Sequence, residues 1–461
     1  MRRVFEAVRL RPGRLRKNSG MGASDKSSNA ANGRSALRTR AEEHLLFYGR
    51  EFSEPVIVKA QGAHIYDESG RAIIDFSSGQ MCATVGHNHP AVAEAIRASC
   101  DDAIHLDSTK LSPAVIELAE ELCALLPPQL QKAMFLSTGG ESNEAALRLA
   151  KLHTGRFEVI ALGNSWHGTT AGAASSTYAS GRRGYGPSMP GGFALPPPNA
   201  YRCPIRHCQD KCDKTCLEVG FDQYDAWSTG QGAAVIVEPV QSAGGMIVPP
   251  EGYLARLKEL CAARGMVLIY DEAQTGLGRV GANFGFEIDG VTPDMMTLSK
   301  TLGAGVPLSA LITGGAIAED ARCKGFSFYT SHASDPMPAR VGLAVVKLLT
   351  SERLAERARE MGAYLRAGLD ELRQRYEVIG DVRGRGLLLG VELVEDRFTK
   401  KPAIDLILKI TARCLELGLN INKAGGANAV WRLAPPLTIT RAEIDSSLAI
   451  LDTALRDCGA H

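Results

Sequence analysis

Residues Met266–Gly305 read MVLIYDEAQTGLGRVGANFGFEIDGVTPDMMTLSKTLGAG, and the fold turns on them. Two short apolar runs, MVLIY and MMTLS, each feed into a polar end, Asp271 after the first and Lys300 after the second. Unbroken apolar runs of this length mark strands buried on both faces. The same pattern recurs outward along the chain. KAMFLS meets STGG and a helix-like ESNEAALRLAKL; FEVIALG precedes NSWHG; AAVIVEP precedes VQSAGG; LSALITGG follows Lys300. Short buried strands separated by helical stretches predict an α/β fold with a mostly parallel sheet and right-handed crossovers. In such sheets sites form beyond the carboxyl ends of the strands, where each of these polar clusters falls.

After about residue 345 the pattern changes to longer helices, LAERAREMGAYLRAGLDELRQRY, then IGDVRGRGLLLGVELV and the strand-like AVWRLAPPLTI. The expected organisation is a basic head at 1–40, a segment at 41–100 that packs near the C-terminal part, a large domain at 101–345 and a smaller α+β domain at 346–461.

Of 461 residues, 45% are hydrophobic and 22% charged, which is ordinary for a folded globular chain. A net charge of +1 argues against a protein that coats nucleic acid or an anionic membrane. The charge is uneven: residues 1–40 hold eleven Lys or Arg against Glu6 and Asp25, leaving 41 basic and 49 acidic side chains in a mildly acidic body. That arginine- and serine-rich head, with Val4, Phe5, Val8 and Leu10 among its arginines, reads as a disordered tail or as a mitochondrial transit peptide, and Met21 inside it is an alternative start. No run of 18 apolar residues predicts a membrane span. Eleven scattered cysteines, an odd number, point to reduced thiols and a cytoplasmic setting, or a mitochondrial one if the head is a targeting segment. Cys203, Cys208, Cys212 and Cys216 stand apart, as a structural zinc site or as thiols of an irregular insert.

Ser137-Thr138-Gly139-Gly140 leads from a strand into a helix, so backbone amides and the helix dipole there suit an anion. GxGxxG and GxxxxGK[ST] are absent, and Gly384-Arg385-Gly386 lies in the other domain. Asp271, ending an apolar strand, needs a cation or donors beside it; no histidine or second carboxylate arrives at metal-ligand spacing, and Glu272 faces the other way. His87 and His89 in GHNHP read as loop histidines rather than ligands. One cofactor uses the remaining parts together. Pyridoxal phosphate (PLP) needs a lysine for its aldehyde, a carboxylate for its ring nitrogen, an anion cradle and a flat side chain, roles available to Lys300, Asp271, Thr138 with Gly139 and Gly140, and Trp166.

The segments STGGESNEAA, NSWHG, EPVQSAGG, IYDEAQTGLGR, TLSKTLGAG and WRLAPPLTI resemble the class III, fold type I aminotransferases from about residue 42 to 455. Within that family the chain is most similar to the 2,2-dialkylglycine decarboxylases, in DFSSGQM, SHASDP and IGDVRGRGLLLGVEL. The resemblance implies the PLP-dependent transferase fold type I, with a mostly parallel seven-stranded sheet and a smaller α+β domain. It implies that Lys300 carries the cofactor and moves a proton at the substrate Cα, that Asp271 keeps the ring nitrogen protonated, and that Gln274 bonds the phenolic oxygen. Trp166 would stack on the ring, Asn143 would join the cofactor contacts, and the partner subunit's Ser331 would help hold the phosphate, in a homodimer, or a tetramer, with shared sites. Arg432 would pair with a substrate carboxylate, Gln80 would bind the group over the scissile position, and Met81, Thr169, Ser242 and Ala243 would line the substrate pocket. A K+ or Na+ ion would sit at Ser108, Ser331, Ala333 and Asp335.

The implied activity is decarboxylation of a 2,2-dialkylglycine such as 2-aminoisobutyrate to a ketone and CO2, followed by transamination of pyruvate to alanine. The alternative is a non-decarboxylating class III aminotransferase with a 2-oxo acid acceptor. Ala243 and Thr169 depart from the decarboxylase pattern, which carries serine and methionine there, and favour that alternative. A scaffold protein on the same fold is opposed by the retention of Lys300, Asp271 and Arg432 together.

Overall fold

The computed structural model describes residues 35–46, 48, 52–179, 184, 186–203, 205, 212–426 and 428–460. The head up to residue 34 and Cys208 lie outside the described residues, so the targeting and four-cysteine zinc readings do too. The chain divides after Val56 into two compact units. The first contributes the helix Ala36–His44, whose Leu37 amide donates to the Ser35 hydroxyl. The second, Ile57–His461, holds everything that follows.

Its centre is a seven-stranded sheet in the order Lys132–Leu136, Ser309–Thr313, Met295–Leu298, Val267–Asp271, Gly232–Val237, Glu158–Leu162, Gly192–Leu195. Four pairings from Met295–Leu298 to Gly192–Leu195 are parallel, while Ser309–Thr313 runs antiparallel to both of its neighbours. Helices cover the sheet, so five of its strands are buried at every residue, which is why they carry no alternation. Asp271 ends one central strand, and Lys300 follows its parallel neighbour after Ser299. The expectation from the two apolar runs holds.

Two smaller four-stranded sheets complete the unit. Ile57–Gln61, His64–Asp67 and Ala72–Asp75 form an antiparallel meander, to which Leu419–Asn420 adds in parallel. Ile379–Arg385, Leu388–Leu393, Val430–Leu433 and Asn422–Ala424 form the other, all antiparallel. The N-terminal strands are therefore completed by a C-terminal one. The expected boundaries at 100–101 and 345–346 fall inside the helices Pro90–Asp101 and Pro336–Ser351, and the second packs on the first and on Pro113–Ala124. Among the described residues no helix is long and apolar enough to cross a membrane.

One local feature positions the site. Ser78, Gly79, Gln80 and Met81 all have positive φ, at 44°, 53°, 61° and 67°. Left-handed backbone costs a residue with a Cβ on the order of 1–2 kcal/mol, so this turn needs external restraint.

Candidate active site

A cavity of about 360 Å³ opens beyond the carboxyl ends of the parallel strands. Its walls include Thr138, Gly139, Gly140, Asn143, Trp166, His167, Asp271 and Lys300. Side chains separated by more than 160 positions in sequence thus face one volume.

The anion cradle is the start of the helix Gly139–Thr154. Thr138 is its N-cap and forms a reciprocal capping box with Glu141, whose carboxylate also takes the Ser137 amide at 2.9 Å. The capping box satisfies the Glu141 amide, and the amides that open the first turn have no intrahelical acceptor. Two positions require glycine. A Cβ on Gly139 would sit 2.8 Å from Ser299 Oγ, and one on Gly168, whose φ is +132°, would sit 2.7 Å from Gly140 Cα. The close approach of the 166–168 loop to the helix start depends on Gly168, and that of Ser299 on Gly139.

Asp271 is buried at the opposite wall. Its Oδ2 accepts from Asn143 Nδ2 at 2.8 Å and contacts His167 Nδ1 at 2.9 Å, while its Oδ1 accepts the Ala273 amide at 3.0 Å. Asn143 is held in turn by the His167 carbonyl, to which it donates at 2.7 Å, and by the Thr297 hydroxyl, which donates to its Oδ1 at 2.6 Å. Burial pushes the Asp271 carboxyl up, but the bond and charge of His167 and the charge of Lys300 outweigh it and keep its pKa below the ordinary value. The carboxylate stays ionised, and Oδ1 retains room for a donor from the cavity.

Lys300 stands in a left-handed conformation, φ 45°, at the start of a short 3₁₀ turn. Burial lowers its pKa; Asp271 and Cys82 oppose this, and Arg432 adds to it. A lysine so placed has a larger neutral, nucleophilic fraction than one in water.

Trp166 lines the cavity, and its amide donates to Glu238 Oε1 at 2.8 Å. Gln274 is buried, with an Oε1 that has no hydrogen-bond partner among the described residues. An anion-binding helix start, an ionised carboxylate and a lysine of lowered pKa around one cavity together fit PLP. Thr138, Gly139 and Gly140 would hold its phosphate, Asp271 its ring nitrogen, Trp166 its face and Lys300 its aldehyde.

Arg432 and Gln80 come together as a pair, with Arg432 Nη2 donating to Gln80 Oε1 at 3.1 Å. Thr169 is exposed next to the helix start, and Ala243 is partly buried. None of Gln80, Met81, Thr169, Ser242, Ala243, Gln274 and Arg432 is among the residues that line the cavity. Met81 packs with Val240, Met246 and Val430, and the Ser242 hydroxyl donates to Met246 Sδ at 3.4 Å. Ser331 is exposed and outside the cavity formed by its own chain. At the expected alkali-cation residues, Ser108 donates to the Thr330 carbonyl at 2.9 Å, while Ala333 and Asp335 are buried. Both Asp335 oxygens contact histidines, His105 Nδ1 at 2.6 Å and His332 Nδ1 at 2.7 Å. These are hydrogen-bond distances, shorter than the roughly 3.4 Å between two ligands of a tetrahedral metal with bonds near 2.1 Å.

Two buried groups were missed in the sequence. His167, next to Trp166, turns its Nδ1 to Asp271, and its buried Nε2 has no hydrogen-bond partner among the described residues. Alternation along NSWHG was the available signal, since successive side chains in an extended segment face opposite ways. Glu238 ends the apolar AAVIV run as Asp271 ends MVLIY, and it accepts from the Trp166 and Ser242 amides. Burial, with Asp271 nearby, pushes Glu238 up to about 7 against His167 and the Trp166 amide. Glu272, which does face away, is also pushed up to about 7 by burial despite accepting from Thr275, Gly285 and Phe286.

These two acids give a stability prediction. Their folded pKa values exceed the unfolded ones, so the stability they contribute is complete below about pH 4.5 and is lost as pH rises through about 7. The cofactor-free protein should melt at a lower temperature at pH 8 than at pH 6. Glu238→Gln should reduce that difference by about half, as measured by calorimetry.

The pattern of the family described as aminotransferase class-III matches residues 48–455. An uncharacterized aminotransferase of Schizosaccharomyces pombe is 47% identical over 90% of this chain and 94% of its own. The leucine/methionine racemase of Thermococcus litoralis is 35% identical over 91% and 96%. The crystal structure of an amine transaminase from an uncultivated Pseudomonas species, in its PLP-bound form, superposes with a TM-score of 0.82 at 30% identity, covering 95% of this chain and all of that one.

Proposed function

The chain belongs to the class-III aminotransferases, a PLP-dependent family, and we propose that it transfers the amino group of a carboxylate-bearing amino acid to a 2-oxo acid. The observation that carries this reading is the convergence of Lys300, Asp271 and the Thr138–Gly140 helix start on one cavity.

Bound PLP supplies an electron sink for negative charge at the substrate Cα. The protein supplies the rest. Asp271, kept ionised by His167, holds the proton on the ring nitrogen. The helix start neutralises the phosphate, and Trp166 covers the ring and excludes water. Gln274 offers its side-chain amide to the phenolic oxygen. Lys300 would hold the aldehyde, and its amine would take the proton from the substrate Cα and return it. Arg432 pairs bidentately with the substrate carboxylate, a geometry guanidinium supports and ammonium does not. Arg432→Lys should therefore raise KM for amino acids by about 10–100-fold, or about 1.4–2.7 kcal/mol, and leave donors that lack a carboxylate within about twofold.

The second reading is decarboxylation, favoured by Gln80 standing 3.1 Å from Arg432. A carboxylate held by Gln80 above the ring would be the group that leaves, whereas a hydrogen there would be removed by Lys300. Three incubations of PLP-loaded protein separate the readings: 2-aminoisobutyrate with pyruvate, with and without potassium; ordinary amino acids with pyruvate; and one chiral amino acid alone. Alanine without CO2 from ordinary amino donors supports plain transamination. Stoichiometric CO2, acetone and alanine support decarboxylation, and inversion of a single amino acid without pyruvate would replace both with racemisation. The potassium arm tests a cation at Ser108, Ser331, Ala333 and Asp335, which would have to displace His105 and His332 from Asp335. The proposed assembly is a homodimer in which the partner subunit's Ser331 completes the phosphate site.

A further inference from the structure

The left-handed turn Ser78–Met81 carries Gln80, and its restraints converge on one buried carboxylate. Asp75 ends the strand Ala72–Asp75 and accepts five hydrogen bonds. Its Oδ1 takes the Ser77 amide at 2.9 Å, the Ser77 hydroxyl at 2.6 Å and Asn420 Nδ2 at 2.8 Å. Its Oδ2 takes the Gly79 amide at 2.9 Å and meets His87 Nε2 at 2.9 Å. The neighbours of Gln80 are fixed on both sides. The Ser78 hydroxyl donates to the Ala434 carbonyl, and Met81 is anchored in the apolar cluster with Val240 and Val430. Thr84 then closes the turn, donating to the Met81 carbonyl at 3.0 Å and lying 2.9 Å from the hydroxyl of Thr301, next to Lys300.

Asp75 grips the other side of the pair as well. Asn420 is two residues from Asn422, and Asn422 lies opposite Arg432 in the antiparallel pairing of their strands. One carboxylate therefore ties the backbone next to Gln80 to the segment leading into the strand that aligns Arg432. Strained backbone of this kind persists only where its surroundings over-determine it, and it collects at functional sites.

We infer that Asp75, held by His87, is a positioning residue: it clamps the strained Ser78–Met81 turn so that Gln80 meets Arg432 and the two set the direction of the substrate carboxylate. Asp75 bonds the turn that carries Gln80, and none of Asp75, His87, Gln80 and Arg432 lines the cavity with Lys300, so Asp75 and His87 act through the Gln80–Arg432 pair. The inference rests on the proposed binding of a carboxylate at Arg432.

Asp75→Asn keeps the shape and replaces one acceptor by a donor that faces other donors. With PLP-loaded protein, the variant should keep the absorbance of lysine-bound cofactor while KM for an amino acid rises about tenfold, kcat changes less, and an amine lacking a carboxylate is unaffected. His87→Gln, which disturbs one bond of the five, should give a smaller rise and remains informative should Asp75→Asn fold poorly. In the Gln80→Ala background, Asp75→Asn should add no more than about twofold, because the group it positions is gone. Calorimetric affinity of the PLP-loaded protein for the carboxylate-bearing donor should fall in parallel. Equal losses for amine and amino acid, or full additivity with Gln80→Ala, would overturn the clamp. Arg432→Ala is the control: unchanged amino acid KM there defeats the carboxylate reading, whereas a large rise there with no response to Asp75→Asn or His87→Gln defeats only the clamp.

Discussion

Lys300→Ala is expected to lower turnover by about ten-thousand-fold or more and to abolish the near-visible absorbance of lysine-bound cofactor. Two functions disappear with one amine. The covalent attachment goes, and so does the base at Cα, for which general acid–base catalysis alone contributes about 10²–10⁴. The fold should not suffer, because burial already disfavours the charged form of this lysine and its removal relieves a desolvated cation. Denaturation of the cofactor-free variant should therefore match that of the parent. Borohydride reduction followed by mass spectrometry supplies a readout independent of turnover, an adduct on the peptide containing residue 300 in the parent and none in the variant. Retained turnover, or an adduct elsewhere, would remove Lys300 from its role.

Asp271→Ala should fail in a different way, in both chemistry and stability. The carboxylate is the acceptor for Asn143, for the Ala273 amide and for His167 in a buried setting. Stripping several donors of one buried acceptor typically costs about 1–3 kcal/mol per unsatisfied group and more where charge is involved. A loss of about 3 kcal/mol in unfolding free energy is expected by urea titration of the cofactor-free protein. Turnover should fall by about 10²–10³, because the ring nitrogen loses the anion that keeps it protonated, and PLP should bind more weakly. Asp271→Asn separates the effects: it preserves volume and one acceptor oxygen but not the charge, so it should cost less stability than Asp271→Ala while its turnover falls nearly as far. If Asp271→Asn were as active as the parent, the ionised carboxylate would not be the reason for its position.

Lys300 and Asp271 were legible because the signal is local: a charged group directly after an unbroken apolar run is costly unless it has a partner, and chain direction in a parallel sheet sends all such ends to one edge. The glycines of Ser137–Gly140 were legible for the same reason, as a strand passing into a helix. His167 and Glu238 were present in the same quoted segments and carried weaker signals. The role of His167 depends on which face of a short loop meets Asp271, and Glu238 differs from an ordinary strand-end acid only through the burial that raises it to about 7. Met81 and Ser242 show how little a segment's position says about where its side chains turn. Both belong to segments that reach the site, but each side chain turns into the apolar cluster around Met246.

The clamp lies furthest from sequence reasoning. Nothing in DFSSGQM announces four successive left-handed residues, since three of the four bear a Cβ and disfavour that backbone. Bonds from His87 and Asn420 pull the turn into place across 12 and 345 positions of chain. The α/β class, the mostly parallel sheet and the edge that carries Lys300 and Asp271 could be read from the chain, because hydrophobic run length and chain direction are properties of contiguous residues. The contacts of Asp271, the burial of Glu238 and the turn that brings Gln80 to Arg432 emerge in the folded chain alone. Those depend on burial and hydrogen bonds between distant segments, which cost nothing in an unfolded chain and come into being only when the sheets close.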